Sequence, residues 1–308
     1  MERFIADQLA GGPGPVREAG NYVLEAGGKR LRPAILLVVS RLLGYQGEHD
    51  VRFGAVVEMI HTATLVHDDI IDGASVRRGR ATANHRWGNQ LTVLLGDWLY
   101  LRAIQLALEV ADVPALDALA GATSQMTEGE ILGLGLKGVS DVTADQYFDI
   151  TRRKTAELFS VTCSLPTFFS PAYERFRPAL EQYGRNIGMC FQIVDDILDI
   201  TGSQKSLGKP VFSDLREGKL TLPFILLMPM LSAGERRKIE DILATGELRE
   251  TAKEELRNLL ERHGAVERSR EAASDFGSRA VAALGGMPPG PELDVLALAP
   301  RFVVEREY

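Results

Sequence analysis

Apolar residues recur at three- and four-residue spacing through positions 52–71, 91–110, 116–132, 147–169, 180–200 and 254–260, and no stretch shows sustained two-residue alternation. A helix gathers positions three and four apart onto one face, whereas a strand gathers alternate positions, so this period predicts amphipathic helices. Breaks rich in Gly and Pro at 11–15, 27–28, 73–79, 133–138, 202–210 and 285–291 separate the stretches and predict loops. Thr143 with Gln146, and Ser232 with Glu235, have the spacing of a capping box, which marks helix starts. The chain therefore reads as all-α. With no long linker, composition shift or internal repeat, residues 1–308 read as one large helical domain.

A hydrophobic content of 45% excludes a disordered chain. The 35 Lys+Arg against 42 Asp+Glu leave a net charge of −7, which excludes a general nucleic-acid binder and makes any phosphate site a local one. Cys163 and Cys190, the two cysteines, fall inside apolar helical stretches and read as buried thiols of a reducing, cytoplasmic compartment. Charged and Gly/Pro-punctuated residues at the start predict no export signal, and the apolar runs Pro33–Val39 and Leu220–Leu231 are too short to span a bilayer.

One short motif occurs twice. Asp68-Asp69-Ile70-Ile71-Asp72 returns as Asp195-Asp196-Ile197-Leu198-Asp199, each at the end of a long apolar helical stretch. Residues four apart stack on one helix face about 5–6 Å apart, so Asp68 pairs with Asp72 and Asp195 with Asp199. A single acidic cluster is ordinarily a solvated helix face. Two such clusters flanked by Ile, Val and Leu, each at the negative pole of a helix, instead call for a cation. Carboxylates without a Cys or His set suit a hard ion, and Mg²⁺ takes one or two of them while keeping positions for water and substrate phosphate. Lys29, Arg30 and Arg32 after Gly27-Gly28, with Arg77-Arg78 beyond the first motif, supply counter-charge for phosphate, although each cluster alone could be a solvated surface.

The string HTATLVHDDIIDGASVRRG at 61–79, with GGKRLRP at 27–33, GNQLTVLLGDWLYLRA at 88–103, KTAELF at 154–159, FQIVDDILD at 191–199, GKP at 208–210 and GKLTLP at 218–223, resembles the trans-prenyl diphosphate synthases of long-chain type, element for element in order. The resemblance implies an all-α fold whose helices surround a deep central cavity, the two acidic motifs facing each other across its mouth. It implies a catalytic set of Asp68, Asp69, Asp72, Asp195, Asp196, Asp199, Lys154 and Lys219, with three Mg²⁺ ions held chiefly by Asp68, Asp72 and Asp195 against an allylic diphosphate. Arg77, Lys154, Thr155, Gln192, Lys209 and Lys219 match the family's contacts to that substrate. Lys29, Arg32, His61 and Arg78 match its isopentenyl diphosphate site. The implied activity is head-to-tail condensation of the two diphosphates. A homodimer is implied as well, with transient membrane contact for release of a long apolar product.

Short-chain members of the family close the cavity with a bulky aromatic residue four or five positions before the first acidic motif; here those positions are Thr64 and Ala63. One helical turn deeper on that face lie Met59 and Ile60. A growing chain should pass Ala63 and reach a product longer than C20, with Phe159, Leu132 or Met59 as a deeper floor; a farnesyl or geranylgeranyl product is the alternative. A class I terpene cyclase is a further alternative, but its second motif resembles NDxxSxxxE instead. A non-catalytic helical partner would have no need of six confined carboxylates. Gly133-Leu-Gly-Leu-Lys-Gly138 matches a dinucleotide fingerprint in spacing only, since helix and not strand precedes it. His61 and His67 have no zinc-binding frame. Trp87, Trp98, Tyr100 and Phe148 read as core.

Overall fold

The computed structural model describes residues 1–110, 112–202 and 210–306, and 79% of the described residues are helical. The elements run α1 (Glu2–Ala10), α2 (Gly14–Glu25), α3 (Leu31–Leu42), α4 (His49–Ile71), a hairpin of β1 (Val76–Arg77) and β2 (Arg80–Ala81), then α5 (Ala83–Leu108), α6 (Val113–Gly135) and α7 (Ala144–Thr151). A π-helical turn, Arg152–Ala156, joins α7 to α8 (Glu157–Ser164). After two 3-10 turns come α9 (Arg177–Thr201), α10 (Ser213–Arg216), α11 (Leu222–Leu227), α12 (Ala233–Thr245), α13 (Glu250–Arg262), α14 (Ala265–Ala283) and α15 (Pro291–Glu305). Both expected capping boxes form, Thr143 and Gln146 at the start of α7, Ser232 and Glu235 at the start of α12.

The chain divides into two compact units. One comprises Met1–Ala120, Val161–Pro178 and Met287–Val295, the other Gly121–Ser160, Ala179–Gly286 and Leu296–Tyr308. In the first unit α4 packs against α3 and α5, and Phe53, Val56, Met59, Ile60, Leu95 and Leu99 are completely buried. The buried apolar faces supply the stability that helix propensity alone does not. Phe53 stacks on Phe169 with ring centroids 5.7 Å apart, which seals the N-terminal end of α4.

In the second unit α9 lies close against α8. A Cβ on Gly184 would come within 2.4 Å of the Phe159 carbonyl oxygen, and one on Gly188 within 2.7 Å of Ala156 Cα. Spaced four apart, these glycines form one small-residue stripe along α9, and the next residue of the stripe is Gln192. Tyr183 is fully buried and its hydroxyl donates to the Leu296 carbonyl at 2.9 Å, tying α15 to α9.

Several features differ from the sequence reading. The break at 73–79 contains part of a two-stranded hairpin, and the apolar stretch 147–169 is interrupted by the π-helical turn. Helices α1, α2, α3, α14 and α15 lie outside the stretches that the apolar period marked; α14 packs through the small residues Ala265, Ala273 and Ala280. Pro33–Val39 and Leu220–Leu231 are not the segments nearest to membrane-spanning length; α5 is the one helix among the described residues long and apolar enough. It carries Asp97 and Arg102, is kinked at Gly88, and packs on α4. Trp87, Trp98, Tyr100 and Phe148 are only partly buried rather than core. Gly133–Gly138 straddles the end of α6, so no strand delivers it and a dinucleotide site is excluded.

Candidate active site

In the first unit, Asp68 and Asp69 occupy the last turn of α4 and Asp72 is its C-cap, with the Asp72 amide donating to the Asp68 carbonyl at 2.8 Å. Three carboxylates thus sit where the helix already carries partial negative charge. They are not equivalent. Asp69 is buried and accepts from Arg77 Nε at 2.7 Å, while Asn84 Nδ2 donates to its carbonyl at 3.1 Å. Burial holds the Asp69 carboxyl above its ordinary range, with the Arg77 guanidinium pulling the other way. Asp68 and Asp72 stand on the half-buried face.

The hairpin after α4 turns on Arg78 and Gly79, both left-handed with φ of +52° and +72°, and pairs Val76 with Ala81 and Arg77 with Arg80. Two left-handed residues make the type I′ geometry that matches strand twist. Gly79 adopts it without strain, but Arg78 does so at a cost of about 1–2 kcal/mol. Such strain at a non-glycine is characteristic of functional sites. The Arg78 guanidinium lies against Gly28, where a Cβ would sit 3.0 Å from Nη1. Burial and the positive charges of Arg77 and Arg30 lower its pKa, so the cluster is short of anions.

His61, two turns before Asp68, belongs to the same cationic group. Burial, then the charges of Arg32, Arg78, Arg77 and Arg30, push its pKa well below the ordinary imidazole value, leaving it neutral at pH 7. Arg32 is buried at 9% exposure within α3, whereas Lys29 is exposed. Arg30 is different in kind. It ion-pairs with Glu58 and donates to the Leu24 carbonyl at 3.1 Å and to Glu2 at 3.3 Å, so it fastens α1, α2 and α4 together. A cavity of about 40 Å³ adjoins the cluster, lined by Arg30, Glu58, Asp69, Arg77 and Arg78.

In the second unit the π-helical turn displays Lys154 and Thr155. Such a turn widens the helix by one residue and is frequent at functional sites. Lys154 ion-pairs with Glu130 of α6, and α6 passes so close that a Cβ on Gly129 would lie 2.7 Å from the Lys154 amide nitrogen. Thr155 donates to Gln192 Oε1 at 2.9 Å, Gln192 Nε2 donates to Asp196 at 2.9 Å, and the Tyr147 hydroxyl donates to Asp196 at 2.6 Å. The small-residue stripe of α9 brings Thr155 to Gln192, and Asp196 fixes the amide. Burial, then the negative charge of Asp214, raises the Asp196 carboxyl well above its ordinary range, and the same burial raises Tyr147.

Asp199 is also turned inward. Its carboxylate accepts from Ser213 Oγ at 2.5 Å, the Ser213 amide at 3.3 Å and the Asp214 amide at 3.2 Å, holding the first turn of α10. The expected Asp195–Asp199 pairing therefore does not present two outward ligands: Asp195 alone is exposed, and Arg306 ion-pairs with it. Lys219 Nζ lies 2.9 Å from Glu217. Lys209 lies outside the described residues. The middle aspartate of each motif, Asp69 and Asp196, is 5% and 4% exposed and bonded to protein donors, so Asp68, Asp72 and Asp195 are the more accessible carboxylates of the two motifs.

Met59, Ile60 and Ala63 are buried on α4 and Thr64 is half-buried. Phe159 is fully buried and tilted on Phe191 at 5.5 Å, whereas Leu132 is 44% exposed. His67 lies 3.2 Å from the Val93 carbonyl and 3.4 Å from Asp97, against Gly96. Tyr147, Glu130, Ser213 and Arg306 escaped the sequence reading. Only Tyr147 carries a signal, as a phenol facing the α9 motif from a capped helix.

A family model for polyprenyl synthetase matches residues 14–260. The chain belongs to this family. It is 34% identical over 303 residues to octaprenyl diphosphate synthase of Escherichia coli (strain K12), across 98% of this chain and 94% of that protein. The crystal structure of a decaprenyl diphosphate synthase from Rhodobacter capsulatus superposes with a TM-score of 0.92 at 37% identity, covering 99% of this chain and 94% of that one. That of a polyprenyl synthase from Caulobacter crescentus CB15, complexed with calcium and isoprenyl diphosphate, gives a TM-score of 0.94 at 35% identity, covering 99% and 93%. These polyprenyl synthases share the all-α isoprenoid synthase fold with this chain.

Proposed function

We propose that the protein is a trans-prenyltransferase that joins an allylic diphosphate to isopentenyl diphosphate, head to tail, and repeats the step to a product longer than C20. The observation that carries this reading is the second acidic motif, with Asp195 exposed at its head and Thr155 and Gln192 fixed beside it. A terpene cyclase is disfavoured by that second DDxxD and by a separate guanidinium cluster able to take a second diphosphate.

The donor set suits Mg²⁺. Both motifs offer oxygen donors alone, and Mg²⁺ takes one or two carboxylates plus water and phosphate oxygens. Asp68, Asp72 and Asp195 would hold three ions against the allylic diphosphate. When bound, the metal stabilises the charge that accumulates on the departing diphosphate. Arg77, Lys154, Lys209 and Lys219 would grip the same diphosphate, and Glu130 aims Lys154. Lys29, Arg32, Arg78 and neutral His61 would hold isopentenyl diphosphate, whose charge relieves the mutual repulsion of the guanidiniums. The allylic C–O bond breaks, the isopentenyl double bond attacks the allylic cation, and loss of a proton to the released diphosphate restores an allylic product. Thr155 Oγ1 and Gln192 Oε1 present neutral dipoles that favour the cation without trapping it.

On α5, Leu94, Leu101 and Leu108 are 61%, 60% and 55% exposed at seven-residue spacing, an apolar stripe that supports a homodimer. Both units draw on non-contiguous stretches, which supports cooperative folding of 1–308 as one domain. Buried, unbridged Cys163 and Cys190 support a reducing cytoplasm, with transient membrane contact for product release. Incubation with farnesyl diphosphate, labelled isopentenyl diphosphate and Mg²⁺, followed by chromatography, should give a labelled linear polyprenyl diphosphate that EDTA abolishes. A cyclic hydrocarbon, or no product, refutes the proposal.

A further inference from the structure

Arg306 follows directly on α15 and turns back onto α9. Its side chain is 5% exposed, whereas that of Asp195 is 45% exposed. Its Nη2 ion-pairs with Asp195 and donates to the Phe191 carbonyl at 2.9 Å, and the guanidinium lies 4.1 Å from the Phe191 ring centre. Its Nε and Nη1 are buried without a hydrogen-bond partner. A guanidinium has five donors, and unpaired buried ones carry a desolvation cost, so this seat is a poor one for a permanent structural clamp. The rest of α15 does not depend on it: Leu296, Pro300 and Val303 are buried and Tyr183 holds the Leu296 carbonyl.

We propose that Arg306 is a positioning residue, the resident counter-cation of Asp195, and that it sets the metal affinity of the second acidic motif by competing with the divalent ion for that carboxylate. Without metal, Arg306 neutralises an aspartate at the negative pole of α9 and keeps it in place. Metal loading displaces the guanidinium from Asp195. The inference rests on the reading of Asp195 as a metal ligand.

Mn²⁺ alone, titrated calorimetrically into the substrate-free full-length protein, is the probe. Removing the one charge that competes for a partly exposed carboxylate should tighten Mn²⁺ binding roughly tenfold in Arg306→Gln, leave Arg306→Lys near wild type, and change nothing in an Asp195→Asn background. Release of residue 306 by a serine carboxypeptidase should be slow without Mn²⁺, faster with it, and fast in Arg306→Gln under both conditions. Circular dichroism verifies that each variant folds. Equal or weaker Mn²⁺ binding by Arg306→Gln, where Asp195→Asn has weakened it, overturns the competition while leaving the metal site standing. Unchanged binding in Asp195→Asn overturns the metal site itself.

Discussion

Arg78 combines a left-handed backbone, a place among four cationic side chains and contact with Gly28, so its replacement separates stability from binding. Asn tolerates the left-handed region through local hydrogen bonds, without the chain entropy cost of Gly. Arg78→Asn should therefore stabilise the protein by about 1 kcal/mol of relieved backbone strain, with relief of repulsion from Arg77 and Arg30 acting in the same direction. With an unfolding entropy of ~2.1 cal/mol/K per residue over the whole chain, that gain raises Tm by only about 1.5 °C. Urea unfolding followed by the fluorescence of Trp87 and Trp98 resolves it better than a thermal scan. The same variant loses a charge-assisted bond to diphosphate worth about 1.5–3 kcal/mol, so KM for isopentenyl diphosphate should rise roughly 10- to 150-fold. A destabilised variant would refute the strain argument, and an unchanged KM would remove Arg78 from the site.

Tyr147→Phe takes a donor from buried Asp196 and should cost about 1.5–3 kcal/mol in urea unfolding, with a smaller effect on turnover. His61 keeps its proton off in the folded protein while the unfolded chain takes one up below about pH 6.5, so stability falls as pH drops below that value. By pH 5.5 the loss should reach up to about 1.4 kcal/mol, measured by urea unfolding, and His61→Gln should abolish that part of the pH dependence. Ala63→Phe, at a buried position of α4, should shorten the products and cost about 1–3 kcal/mol of stability, and chromatography showing full-length product would place the growing chain elsewhere.

The long helices were legible because their apolar faces repeat with the helical period, and both capping boxes because Ser or Thr with Gln or Glu at a fixed offset leaves a readable trace. Helix α14 was not among them: its buried face is Ala, Ser and Gly, small side chains that mark a core face less plainly than Leu, Ile or Phe. Nor was the π-helical turn, whose extra residue is invisible to spacing arguments. The acidic motifs could be read as carboxylate-bearing helix ends, but which carboxylate turns inward depends on partners far along the chain. Tyr147 lies 49 residues from Asp196 and Arg306 lies 111 from Asp195, separations at which local sequence carries no orientation. Likewise, the motif resemblance placed Arg32 and Arg78 at a substrate site and left Arg30 without a role, which its ion pair with Glu58, 28 residues along the chain, supplies.

The central claim is that both acidic motifs act on one diphosphate, and single-turnover release of pyrophosphate from farnesyl diphosphate in the presence of isopentenyl diphosphate and saturating Mg²⁺ tests it most directly. Asp68→Asn and Asp195→Asn should each slow that release by orders of magnitude while helix content stays unchanged. Near-normal release by either variant would contradict the account.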